Sequence, residues 1–298
     1  MMIAFTKRRK LWYLIALIII IPGIISMCVQ GFNLGIDFTG GTILEVRFEN
    51  EADMSAIREL VSAHVEQTPT IQAGENNLYT IRTVEMTESE SDELVRTLQE
   101  QIGALTVEKE NFIGPVVGKE LVHNAEIAVL VAMALMLVYI TIRFKLEYAL
   151  AAILALAHDV LVTLSIFSLF QIELDSAFIA AILTVLGYSI NNTIVVFDRI
   201  RENSKDPQYK KYTDAEMIDT SISQTLGRSI NTVLAVLFLL VSLFLFGGAT
   251  TRIFTFALIT GVAAGFYSSL LLAGSFVLEI RNIRNRPKAK PDVAAAKK

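Results

Sequence analysis

Reactive side chains are scarce in this chain. Cys28 is its single cysteine, so no disulfide can close within it and no pair of thiols can hold a metal. The three histidines, His64, His123 and His158, are scattered. No HExxH, no Ser-His-Asp order and no Walker loop occurs. These absences argue against an enzyme, and no cofactor, metal or nucleic-acid partner is expected. Cys28 follows Ile25-Ser26-Met27, where a lipoprotein signal would need a small residue, so it reads as a buried apolar filler.

Apolar residues are abundant. They make up 53% of the chain, and the mean hydropathy of +0.52 puts it among membrane proteins. Six apolar runs reach the roughly 20 residues a helix needs to cross a bilayer. They lie near Leu11–Val29, Glu126–Ile142, Tyr148–Phe170, Ser176–Phe197, Arg228–Phe246 and Ile253–Leu278. The first is too long, and lacks the cleavage site, for a removable signal. Basic residues cluster before span one (Lys7–Lys10), between spans two and three (Arg143, Lys145), after span four (Arg199–Lys211) and after span six (Arg281–Lys290). Alternating spans put all four clusters on one side. The positive-inside rule then makes both termini cytoplasmic, in a bacterial plasma (inner) membrane.

Between spans one and two, acids outnumber bases by about three to one. The segment reads as a compact extracytoplasmic domain. Thr42–Phe48 alternates as a strand, and Met54–His64 has helical spacing with His64 on or beside its apolar face. Thr70–Ala73 and Leu78–Val84 are strands around a Gly74-to-Asn77 turn. Thr87–Ile102 is a helix with Thr87 as cap and Glu90 three residues on. Leu105–Phe112 closes the order β-α-β-β-α-β, a ferredoxin-like unit. The domain division is 1–30 for the N-terminus and first span, 31–122 for this domain, 123–280 for the remaining five spans, and 281–298 for a basic, disordered cytoplasmic tail.

Polar residues inside the spans mark the candidate site, because polar groups in hydrocarbon are costly. Span four reads GYSINNTIVVFDRIREN from Gly187 to Asn203, placing Ser189, Asn191 and Asn192 in an apolar helix. In span three Asp159 lies about twelve residues past the turn, roughly 18 Å along the helix. A carboxylate at that depth costs about 2.5–3.5 kcal/mol on insertion scales. His158 is offset by about 100° and is not expected to meet it. Gln224, Arg228 and Asn231 form a polar stripe where span five begins, after a loop (202–223) expected to hold a short surface helix. Gly261 and Gly265, four apart in span six, suit a close helix–helix approach, within the chain or with a partner. Gly35, Asp37, Gly40 and Gly41 after span one, and Gly114, Pro115 and Gly118 before span two, read as junctions between domain and membrane.

Six stretches carry a resemblance: GIDFTGGT (Gly35–Thr42), GPVVGKEL (Gly114–Leu121), ALAHD (Ala155–Asp159), Gly187–Asn203, QTLGRSINT (Gln224–Thr232) and the Gly261–Ser269 run. In this order they resemble the SecF family of protein-export membrane proteins. The resemblance implies a half-transporter of the RND type that pairs with a SecD-like six-span subunit. It further implies contact with the Sec translocon channel and its associated subunits, and with the unfolded preprotein, using the proton-motive force. It implies a coupling role for Arg228 and the residue at 192, commonly aspartate in that family. Here Asn192 cannot exchange a proton. Coupling then rests on other carboxylates, such as Asp159 or acids in the SecD-like partner, or the chain is a scaffold subunit without proton coupling, or Asn192 is an engineered substitution. Half of an RND-like small-molecule exporter is the remaining alternative.

Overall fold

The computed structural model describes residues 4–65, 69–74 and 76–285. The expected tail, including Arg286, Lys288 and Lys290, lies outside the described residues from 286 onward. Among the described residues, six helices are long and apolar enough to cross a membrane. They contain α1 (Arg9–Val29), α5 (Pro115–Arg143), α6 (Leu146–Leu169), α7 (Ser176–Asn203), α8 (Asp214–Phe246), and α9 (Ala249–Tyr267) continued by α10 (Ala273–Arg284). Helices α6, α7 and α9–α10 form the packed centre, while the apolar spans of α1, α5 and α8 bury few of their residues.

The segment between α1 and α5 folds as β1 (Gly41–Phe48), α3 (Met54–His64), β2 (Thr70–Ala73), β3 (Leu78–Thr83), α4 (Glu88–Gln101) and β4 (Leu105–Ile113), after a short α2 (Ile36–Thr39). The antiparallel sheet has the order β2-β3-β1-β4, as a ferredoxin-like unit requires. Leu44, Val46, Ile81, Leu94 and Leu98 pack between sheet and helices, all at or below 1% exposure. Helix α4 begins where the Thr87/Glu90 pattern puts it, with both halves of the capping box formed.

Three expectations change, and one span carries an irregularity. Span five is the end of a helix that begins at Asp214 and continues unbroken to Phe246, so the loop before it is shorter than expected and its surface helix is a single 3-10 turn, Pro207–Tyr209. A Thr213/Glu216 capping box starts it, and buried Met217, Ile218 and Ile222 extend its packed face into the polar segment. Span six contains one π turn, Ser268–Leu272. His64 is exposed; its Nδ1 lies 2.9 Å from Leu60 O in its own helix, and Nε2 3.4 Å from Thr97 Oγ1. Cys28 is exposed on the outer face of α1, because Gly23 and Ser26 take the face toward α6.

Candidate functional site

Asp159 lies near the middle of α6 and is fully buried. A carboxyl group there must be bonded by protein. Ser189 of α7 donates its Oγ proton to Asp159 Oδ2 at 2.5 Å. His158 Nδ1 stands 2.9 Å from Asp159 Oδ1, so the expected separation of these neighbours is wrong. An offset of helix positions does not prevent contact, because Nδ1 is next to the ring's attachment and can turn back to the carboxylate. The His158 ring stacks on Tyr267, at 5.7 Å between centroids. Tyr267 OH in turn donates to Trp12 O of α1 at 2.6 Å. Four spans thus meet around one carboxyl group.

Close approach by α9 completes the enclosure. A methyl at Gly261 would meet Val185 at 2.3 Å, and one at Gly265 would come within 2.9 Å of Ser189 and 3.4 Å of Asp159. The small-residue pair therefore serves an interface inside the chain. The π turn follows directly: Ser269 Oγ lies 2.9 Å from Thr193 Oγ1, and Ser268 Oγ donates to Gly265 O at 3.2 Å. Single π turns recur at functional sites because they release backbone groups from the regular ladder.

The other polar candidates divide. Asn192 is buried, and its Nδ2 has no hydrogen-bond partner among the described residues. Asn191, Arg228 and Asn231 are exposed. No hydrogen bond joins Asn192 to Arg228 among the described residues; Arg228 instead lines a cleft of about 410 Å3 with Asp198, Arg199, Glu202 and Gln224. Gln224 Oε1 accepts from Arg199 Nε at 2.6 Å and from Asn203 Nδ2 at 2.8 Å. Ser189 thus belongs to the buried cluster, and the remaining seam residues belong to an α7–α8 face and its basic-end cleft.

The junction residues form a bonded joint. Gly35 N–H donates to Leu174 O at 2.7 Å and Leu174 N–H to Asn33 O at 2.8 Å, a strand-like bridge onto the α6–α7 turn. Asp37 Oδ2 accepts the Ser176 N–H at 2.8 Å, so Asp37 caps α7 from outside and is more than a solvated turn residue. Asp175, the helix's own cap, accepts from Phe178 N–H at 2.9 Å. Burial pushes the Asp175 carboxyl above its ordinary range, the Phe178 bond and Arg82 pull it down, and Asp37 adds to the rise. Gly40 and Gly41 have φ of 81° and 155°, a backbone that favours glycine. Gly118 lets α5 touch the backbone of Phe38, where a Cβ would come within 2.3 Å of its carbonyl oxygen. Gly114 caps α5 and Pro115 is its first residue.

Residues without a sequence signal complete the frame. Glu147, 4% exposed at the basic end of α6, accepts from Arg281 Nε at 3.0 Å and pairs with Arg284. Arg281 also reaches Asp214 at 2.9 Å and Tyr148 OH at 2.7 Å. Asp219 accepts both the backbone N–H and the hydroxyl of Thr6, at 2.8 and 2.9 Å.

Six spans, four of them meeting around a buried acid, with a ferredoxin-like domain between the first two, define a polytopic integral membrane protein. Residues 94–283 match the family described as protein export membrane protein SecD/SecF, C-terminal, and residues 25–52 match the SecD/SecF GG motif. The chain belongs to the SecD/SecF family of protein-export membrane proteins. It is 41% identical over 287 residues to the protein translocase subunit SecF of Sebaldella termitidis, covering 95% of this chain and 93% of that one. To SecF of Acidaminococcus fermentans it is 42% identical, over 92% of this chain and 96% of the relative. The crystal structure of SecDF, a translocon-associated membrane protein from Thermus thermophilus, matches with a TM-score of 0.83 at 33% identity. That match covers 95% of this chain and 39% of the SecDF chain. In length and sequence the chain falls with the SecF subunits of the protein translocase.

Proposed function

We propose that the chain is one membrane half of a protein-export complex, completed by a SecD-like six-span subunit, that helps draw unfolded preprotein from the Sec translocon channel. It sits in the bacterial plasma membrane with its basic clusters and both termini in the cytoplasm and the ferredoxin-like domain outside. Its work is conformational, not enzymatic. The buried Asp159–Ser189–His158 cluster carries this reading. A carboxyl group held at mid-span by Ser189 and His158 can gain and lose a proton, which Asn192 cannot. The proton-motive force is therefore coupled through Asp159.

The partner covers the α7–α8 face. That face exposes Asn191, Arg228 and Asn231, and beside it the Asn192 amide lacks an acceptor among the described residues. A second membrane half with an acid or carbonyl opposite these groups would satisfy them, since lipid offers no such partner. The scaffold alternative draws on the same Asn192 and differs only in giving Asp159 no exchangeable proton.

A cysteine placed at Asn231 tests the pairing, with Cys28→Ser removing the native thiol. In native membranes Asn231→Cys cross-links to a second six-span protein that co-purifies with the translocon channel. Labelling of the same cysteine only by lipid-dissolved reagents, with no cross-linked protein, would contradict the assignment.

A further inference from the structure

The ferredoxin-like domain has two covalent connections to the membrane, one from α1 and one to α5, yet its densest bonding is to neither. The α6–α7 turn receives it. Arg82, on the outer face of β3, pairs with Glu173 at 3.0 Å, and the two side chains are only 13% and 14% exposed. Asp37 holds the first amide of α7. The exit from α1 is stitched to the same turn: Asn33 Nδ2 donates to Gln171 O at 3.0 Å, and Ser168 Oγ donates to Gly31 O at 2.9 Å. Gly35 is so close to the turn that a methyl there would meet Leu174 O at 2.8 Å. By contrast, α5 rests on the bundle along one side only, with few of its residues fully buried, and no side-chain hydrogen bond or ion pair ties it to the domain among the described residues.

Helix α7 continues from this joint to Ser189, thirteen residues and about 20 Å further on at the helical rise. An α-helix is stiff over that length, and close-packed joints transmit displacement instead of absorbing it. We propose that the ferredoxin-like domain and α7 move as one rigid body, held by Arg82–Glu173, Asp37–Ser176 and the Leu34–Leu174 bridge. A shift of Ser189 then reaches the domain through this non-covalent joint. Arg82 is a positioning residue in this scheme, acting on the domain's attitude and not on the polypeptide. The scheme rests on the coupling reading above for what displaces Ser189, but the joint itself can be tested separately.

The test uses the assembled complex in sealed vesicles, where gradient-driven preprotein movement is measured. Arg82→Glu breaks the joint, and movement falls about tenfold. Limited proteolysis finds the domain still folded, since Arg82 lies outside its core. Leu34→Cys with Leu174→Cys, in a Cys28→Ser background, places two thiols across a β-bridge, within the roughly 4.4–6.8 Å Cα spacing that a disulfide needs. Oxidation leaves the otherwise native complex active, because a rigid joint has no need to open. In the Arg82→Glu background oxidation restores movement, and reduction removes it again. The proposal is overturned if oxidation stops the native complex, if Arg82→Glu moves preprotein normally, if the disulfide fails to rescue it, or if the two thiols cannot be oxidised. Asp159→Asn is assayed in parallel. If it keeps its full response to the gradient, the coupling reading fails while the comparison of joint variants still stands.

Discussion

Asp159→Asn removes the response of preprotein movement to the membrane potential and leaves the complex assembled. An amide keeps the shape of the carboxyl group, and its oxygen can still accept from Ser189 Oγ, so packing around α6, α7 and α9 survives. Only proton exchange is lost. One charge moved across 100 mV supplies about 2.3 kcal/mol, equivalent to about 50-fold in an equilibrium constant. That is the scale of the expected loss, measured as movement with and without an uncoupler. An Asp159→Asn complex that still slows on uncoupling would place the exchanging group elsewhere. Loss of co-purification with the partner would instead give Asp159 a purely structural role.

Glu147→Ala has the largest expected effect on stability. The carboxylate is almost fully buried and is the shared partner of Arg281 and Arg284. Removing one member of a buried ion pair costs about 3–5 kcal/mol, because the remaining buried charge, here Arg281, stays desolvated, whereas Arg284 is exposed to solvent. Arg281 keeps Asp214 and Tyr148, which offsets part of that loss. Thermal unfolding of the detergent-solubilised protein should show a clear drop in midpoint. A double variant with Arg281→Ala should lose much less than the two single losses added together. Full additivity would mean that the pair contributes nothing as a pair.

Local signals were the legible part of this chain. The Thr87/Glu90 box, the alternation of Thr42–Phe48 and the six apolar runs each depend on neighbours within a few residues, and the structure has an element at each. Gly261 and Gly265 were readable as a close contact, though only the fold shows that Val185 and Ser189 are what they touch. The joint was half legible. Glycines flagged its location, but Arg82 and Glu173 are separated by 91 positions and carry no pattern that pairs them. The His158–Asp159 contact is not legible in the sequence because helix-wheel geometry describes where a side chain starts, not where its ring atoms reach. The start of α8 was missed for a related reason. Hydropathy marks the lipid-crossing part of a helix, whereas Asp214–Gly227 is a polar-rich stretch whose packed face contacts protein.

Whether one carboxyl group in α6 binds and releases the driving proton is best settled by infrared difference spectroscopy of the purified complex. Spectra of the native form are compared with those of Asp159→Asn through a pH cycle. A carboxylic-acid band that appears and disappears with pH in the native complex and is missing from the variant is the expected result. An identical band in both would contradict the account.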